Sequence, residues 1–290
     1  VVLWCDPMSL QSTGWRISHW LSLHLPAPCA YRGAERLADY RWNTSAADRR
    51  VVQANLSLAL GAPIPERSPV VREVFRNFAR YLVEFFSVHR VPSPSLAVEG
   101  YDYLNAAHRR GRGVIILTAH FGNWEVGAVL IRRMGFPLSA VALPHPDLRT
   151  NRLFDDQRRR CGIEIIPLGA EAMRRSVQRL REGHLLGVLG DQPFTSHGQP
   201  VTLCGRTVAL PSGPALLSLR SSAPMVPTFL VREGVWKFRL CFEPPVWPQP
   251  RGRSDSAVQR LTQQYASILE RYLTRFPSQW LLFQPLAGAG

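Results

Sequence analysis

Across the second half of the chain, short apolar runs alternate with stretches whose apolar residues recur at helical spacing. The apolar runs cover 114–119, 138–143, 163–167, 185–189, 225–231 and 236–242, and helical patterns lie between them at 123–134, 151–160, 170–181 and 214–221. Apolar strands of this length, separated by helices, predict a sheet covered on both faces. Arg232-Glu233-Gly234 predicts a hairpin between the last two runs. The clearest helix covers 255–275, where Val258, Leu261, Tyr265, Ile268, Leu269 and Tyr272 share one face and Asp255 and Ser256 supply the start.

The first hundred residues have a different rhythm. Val70, Val74, Phe78, Leu82 and Phe85 form one stripe of a helix over 69–88, a second helix is predicted over 48–60, and the Pro-rich loop 61–69 separates the two. A shorter helix over 102–110 ends at Gly111-Arg112-Gly113. Ile17, Trp20, Leu21 and Leu25 recur at helical spacing within 12–25 beside Trp15, a pattern that suits a helix lying in a membrane interface or one packed on the protein's own core. The chain begins with Val and Met8 reads as a natural start, so residues 1–7 carry no expectation about the fold. The expected fold is α/β, a mixed, largely parallel central sheet flanked by helices. A helical N-terminal region, 1–100, is continuous with an α/β core over 101–285.

Composition narrows the partners. The chain has 290 residues, 46% of them hydrophobic, enough for a substantial core. Its formal charge of +14 asks for an acidic partner: nucleic acid, an anionic membrane surface, or phosphorylated substrates and carriers. Lys237 is the only lysine among 35 basic side chains, a bias that GC-rich coding explains as readily as phosphate recognition. The five cysteines are scattered and unpaired in spacing, against a disulfide framework or zinc site and in keeping with a reducing compartment. There is no apolar run of about 18 residues and no basic leader. The 244–250 stretch, rich in proline, reads as a linker. Zinc-finger spacing and RNA-binding signatures are missing and the arginines are spread along the chain, against a nucleic-acid binder.

The chemistry concentrates after the run 114–119. His120-Phe121-Gly122-Asn123-Trp124-Glu125 puts a histidine at the end of a strand and a carboxylate in the first turn of the following helix. Glu125 could hold one ring N–H of His120 and leave the other nitrogen free to take a proton. Against this stands the plain reading of a polar loop histidine and an acid that favours the helix dipole. Other polar residues also fall where the carboxyl ends of strands should cluster: Pro144-His145-Pro146-Asp147 and Gly190-Asp191-Gln192. Asp191 reads equally as a turn residue. Arg149, Arg152, Arg158, Arg159 and Arg160 make either a solvated helix face or an anion site. No G-x-S-x-G elbow, phosphate-loop lysine, H-E-x-x-H or G-x-G-x-x-G occurs. A strand-end histidine without an evident nucleophile favours direct attack by a substrate hydroxyl.

These residues carry a resemblance. Leu117 to Glu125 resembles the H-x(4)-D/E block of the lysophospholipid acyltransferase superfamily, and within it the lipid A biosynthesis (late secondary) acyltransferases, a group that includes phosphatidylinositol mannoside acyltransferase-like members. The likeness runs from about Arg49 to Trp280 and takes in 50–56, 75–78, 158–162, Gly190-Asp191-Gln192, 203–207, 211–214 and Pro277-Ser-Gln-Trp280. Relatives that acylate lipid A continue with an H-R-R-F-like stretch. This chain reads Leu281-Leu-Phe-Gln-Pro285 instead, so the resemblance reaches fold and reaction further than a lipid A acceptor. It implies transfer of a fatty acyl group from an acyl carrier protein or coenzyme A thioester to a hydroxyl of a membrane glycolipid. It also implies His120 as base, Glu125 as its orienting partner, and no metal or resident cofactor. Asn123, Arg158, Arg159, Asp191, Gln192 and Arg206 then fall to substrate binding, with Asp191 on the acceptor side. The protein would work peripherally at the cytoplasmic face of the bacterial inner membrane, against anionic lipid, with a monomer as the default state. The competing expectation is a non-catalytic lipid-binding protein of the same fold.

Overall fold

Three long helices build the N-terminal layer: α1 (Ala27–Thr44), α2 (Ala46–Ala59) and α3 (Pro69–Ser87). The structure, a computed structural model, describes residues 19–20, 22–91, 93–193, 198–249 and 255–286. Of the tryptophan-rich stretch 12–25, residues 12–18 and 21 therefore lie outside the described residues, as do 287–290. Ser45 caps α2 by accepting from Asp48 N, and Pro69 opens α3 at a position where its missing N–H costs nothing. Val71, Val74, Phe75, Phe78, Leu82 and Phe85 form the buried stripe of α3, packed on Val52 and Leu56 of α2 and on Leu281 and Phe283 from the far end of the chain.

The α/β part follows the order β1 (Ser95–Glu99), α4 (Tyr101–His108), β2 (Val114–Thr118), α5 (Trp124–Arg133), β3 (Leu138–Ala142), α6 (Leu148–Arg160), β4 (Glu164–Pro167), α7 (Ala172–Arg181) and β5 (Leu185–Leu189). It continues with β6 (Gln199–Leu203), β7 (Arg206–Leu210), α8 (Gly213–Ser221), β8 (Met225–Gly234), β9 (Lys237–Phe242) and α9 (Asp255–Arg275). Seven strands form one sheet in the order β1-β9-β8-β2-β5-β3-β4. All neighbours are parallel except the β8–β9 hairpin, whose antiparallel turn reverses β9 and the β1 strand beside it. The expected mixed, largely parallel sheet with helical cover and a helical N-terminal region is thus what the chain forms.

The alternation of side chains along β2 sets the two layers. Ile115 and Leu117 face a core completed by Leu261, Tyr265 and Leu269 of α9, while Val114 and Ile116 face Val126, Val129 and Leu130 of α5. At roughly 25 cal/mol per Å² of apolar surface, a fully buried Leu or Phe contributes about 2 kcal/mol, so these two layers dominate the stability of the fold.

Three elements go beyond the sequence expectation. β1 has almost no apolar alternation: it is an edge strand, exposed at four of five positions, and β9 supplies its pairing. The β6–β7 hairpin, which lies outside the main sheet, packs on α9 through the Gln263 amide, which donates to Thr202 O and accepts from Thr202 N. Helix α1 is rich in charge and buries mainly the small residues Ala30, Ala34 and Ala38 with Tyr31, so it carries no wide apolar stripe.

Candidate active site

Strand order brings the site together. β2 and β5 are parallel neighbours with Thr118 opposite Leu189. Two residues beyond each strand end stand His120 and Asp191, so continuing the register places them side by side. Asp191 Oδ1 lies 2.9 Å from His120 Nδ1, and Oδ2 accepts from His120 N at 2.9 Å and from the Trp280 indole Nε1 at 3.0 Å. Asp191 is fully buried and His120 nearly so.

The backbone is shaped to permit this approach. A Cβ at Gly190 would sit 2.7 Å from the side chains of Leu117 and Tyr265, so only glycine lets Asp191 come so close to β2. Gly122 turns the chain after His120 at φ +58, and a Cβ there would fall 1.8 Å from Leu230 O. Asn123 then caps α5 by accepting from Val126 N at 3.1 Å, while its amide donates to Glu84 Oε2 at 2.7 Å. The 3₁₀ turn Pro277–Gln279 and the residues after it hold the loop from the other side. Gly122 N donates to Gln279 O at 2.8 Å, Leu281 N donates to His120 O at 2.6 Å, and Phe121 bridges to Trp280.

Burial works to raise the Asp191 carboxyl. The charge of His120 and the hydrogen bonds from His120 and Trp280 outweigh it and hold the group below the ordinary carboxylate value. A carboxylate on Nδ1 fixes the imidazole tautomer with its proton there. Among the described residues Nε2 has no hydrogen-bond partner, so it is the nitrogen available to accept a proton.

Glu125 does not hold the His120 ring. It is buried against Arg158, which donates to it through Nη2 at 2.5 Å and through Nε at 3.1 and 3.2 Å. The expected His120–Glu125 contact is therefore corrected: the carboxylate on the ring is that of Asp191, and Glu125 is half of a fork-shaped ion pair. The reason is directional. Glu125 sits on α5 after the Gly122 turn and meets α6, whereas Asp191 comes straight off the neighbouring strand. Burial lowers the Arg158 guanidinium, yet the charge of Glu125 outweighs it and leaves the group raised. Trp124 joins the two clusters. Its ring stacks on Tyr81 at 4.3 Å and meets the His120 ring edge to face at 5.1 Å.

The remaining expected site residues scatter. Arg158 is at the site; Arg159, on the solvent side of α6, has a 62% exposed side chain paired with Asp156. Asn123 is fully buried, and its side chain is taken up by the α5 cap and by Glu84. Gln192 is half-buried directly after Asp191. Arg206 is exposed beside the Cys204-Gly205 turn of the β6–β7 hairpin. Asp147 caps α6 by accepting from Thr150 N, and His145 packs its ring 5.1 Å from Phe154. Trp280 and Gln279 belong to the site although spacing alone did not single them out. Behind them lies a second buried pair, Glu84 with Arg232, at 2.6 and 2.7 Å, which also takes the Tyr31 hydroxyl at 2.6 Å.

A histidine with one nitrogen fixed by a buried acid and the other unpartnered among the described residues, at the carboxyl ends of parallel strands, is the arrangement that general-base chemistry on an α/β scaffold requires. The chain belongs to the bacterial lipid A biosynthesis acyltransferase family, whose profile matches residues 14–287. It is 28% identical over 248 residues to a phosphatidylinositol mannoside acyltransferase of Mycobacterium tuberculosis, covering 81% of this chain and 75% of that one. The corresponding protein of Mycolicibacterium smegmatis is 28% identical over 244 residues, covering 81% and 78%. The lipid A biosynthesis palmitoleoyltransferase of Escherichia coli is 26% identical over 274 residues, covering 90% of this chain and 86% of its own.

Proposed function

We propose that this acyltransferase moves a fatty acyl group from an acyl carrier protein or coenzyme A thioester to a hydroxyl of a membrane glycolipid, one like a lipid A precursor or a phosphatidylinositol mannoside. The observation that carries the reading is the His120–Asp191 pair with Nε2 unpartnered among the described residues. His120 Nε2 takes the proton of the acceptor hydroxyl as its oxygen attacks the thioester carbonyl carbon. Asp191 stabilises the imidazolium. As the tetrahedral intermediate collapses, the carbon–sulfur bond breaks and the imidazolium proton passes to the departing thiolate. General-base help of this kind accelerates a reaction by roughly 10²–10⁴.

Glu125 and Arg158 act as one neutral unit beside the base, placing the acceptor rather than orienting the ring. No helix among the described residues is long and apolar enough to cross a membrane. The positive charge of the chain suits peripheral work at the cytoplasmic face of the inner membrane, where anionic lipid and an acidic carrier are both present.

The test is acyl transfer from labelled acyl carrier protein and acyl-coenzyme A to a glycolipid panel that includes both acceptor types, read by mass spectrometry for wild type and His120→Ala. A product that disappears in His120→Ala establishes the reaction and names the acceptor. A product equally abundant in both proteins refutes the mechanism. Tight glycolipid binding by wild type without turnover from either donor makes the chain a binding protein instead.

A further inference from the structure

Away from the catalytic pair, five basic or titratable groups from three segments converge without acid among them. His19 and His24 come from the short helical turns before α1, His89 and Arg90 from the 3₁₀ turn Val88–Arg90 after α3, and Arg160 from the last position of α6. The His19 ring packs edge to face on Phe86 at 5.2 Å. Arg90 donates through Nη1 to Leu23 O, tying the second segment to the first. Gln157, one turn before Arg160, donates through Nε2 both to Phe85 O at 2.7 Å and to His89 Nδ1 at 3.2 Å, which leaves the His89 proton on Nε2. Among the described residues none of the five forms an ion pair with a carboxylate. Almost every other basic cluster has one: Arg72 and Arg76 share Asp39, Arg80 has Glu35, Arg179 has Glu164, and Arg239 has Glu233.

Four of the five are exposed and His19 is half-buried, so the patch is open to a ligand. Trp20 lies at its edge, 54% exposed and stacked on His24 at 4.9 Å. An uncompensated basic patch rimmed by an exposed indole fits a phosphate whose carrier also has an apolar boundary for the ring to enter.

We infer that His19, His24, His89, Arg90 and Arg160 form a phosphate-binding patch that takes the headgroup of an anionic phospholipid and grips it more tightly as pH falls. The surroundings of His19 and His89 disfavour their protonation. Burial lowers His19 first, followed by the charges of Arg160, His89, Arg90 and His24, and burial followed by Arg90 and Arg160 lowers His89. Among the described residues no acid stands among the chief influences on either ring. A bound phosphate reverses the balance, so binding and proton uptake by His19 and His89 are linked. The inference concerns binding alone, and its failure would leave the acyl-transfer reading untouched.

The experiment is co-sedimentation of the intact protein with phosphatidylcholine vesicles, with and without about 30% phosphatidylglycerol, at about pH 7.5 and pH 5.5. Wild type should bind the anionic vesicles about fivefold to thirtyfold more tightly at the lower pH, as expected for one or two added charges near the surface. H19Q/H89Q should lose that gain, and Arg160→Gln should weaken binding at both pH values, each with an unchanged thermal melt. Where a variant does not fold, histidine NMR titration of wild type with short-chain phosphatidylglycerol replaces it, and both ring titrations should move up. An unchanged pH gain in H19Q/H89Q, equal binding to pure phosphatidylcholine, or unmoved ring titrations would overturn the inference. Inorganic phosphate that moves the same titrations as strongly as the lipid would assign the patch to a soluble phosphate and overturn the lipid assignment.

Discussion

Replacing Asp191 by Asn changes almost no volume, yet it should disable the base. Oδ2 accepts from two fixed N–H donors, His120 N at 2.9 Å and Trp280 Nε1 at 3.0 Å, and neither donor can reverse its role. An asparagine whose NH₂ faced them would leave two buried donors unsatisfied, at about 1–3 kcal/mol each. The amide oxygen therefore stays with those donors and the NH₂ turns to His120 Nδ1. That nitrogen must then accept, which moves the ring proton to Nε2, the atom required to take the acceptor's proton. Loss of tautomer control in a comparable Ser-His-Asp system lowers kcat about 10⁴-fold, the value to expect here within an order of magnitude. It corresponds to about 5.4 kcal/mol of barrier. The assay is single-turnover acyl transfer with labelled acyl carrier protein, alongside a thermal melt. Activity within tenfold of wild type, in a protein that melts normally, would refute the assignment of Asp191 as the partner that sets the tautomer.

Further outcomes test the scaffold. Glu84→Gln leaves the Arg232 guanidinium buried without its counter-charge, and should cost about 3–5 kcal/mol and roughly 10 °C in melting temperature. Gly122→Ala should destabilise by about 3 kcal/mol or more in a denaturant melt, since its Cβ would overlap Leu230 O. Gly111→Ala, also at positive φ but with nothing within 4 Å, should cost only about 1–2 kcal/mol. Asp191 also predicts acid behaviour. Its native carboxyl lies below the ordinary value of 3.8, so its contribution is complete above that pH and is lost as pH falls toward the native value. Melts below about pH 4 should therefore fall less steeply for Asp191→Asn than for wild type.

His120 was legible because an apolar strand followed by a glycine turn and a helix start announces a strand-end side chain. Its partner was not, because partner choice depends on strand order. Nothing in the 185–189 run says that it lies beside β2 rather than beside β4; once β5 is the neighbour, the register alone puts Asp191 opposite His120. Glu125 was the nearer acid in sequence, and Arg158, 33 residues away on another helix, claims it. The sheet itself could be read from its apolar runs except at β1, where an exposed edge strand is specified by β9 and not by its own residues.

The grip of residues 279–281 on the His120 loop bears on how the protein is made. Synthesis proceeds from the N-terminus, and a domain folds as a unit once its segments are present. A growing chain can complete β2 and β5 long before Gln279 exists to receive the Gly122 N–H or Trp280 to steady Asp191. Until that stretch is made, the His120 loop and Asp191 lack these partners, and a chain stopped before residue 277 would never gain them. The His120 loop is thus completed only when the polypeptide returns, more than 150 residues further on, to close it.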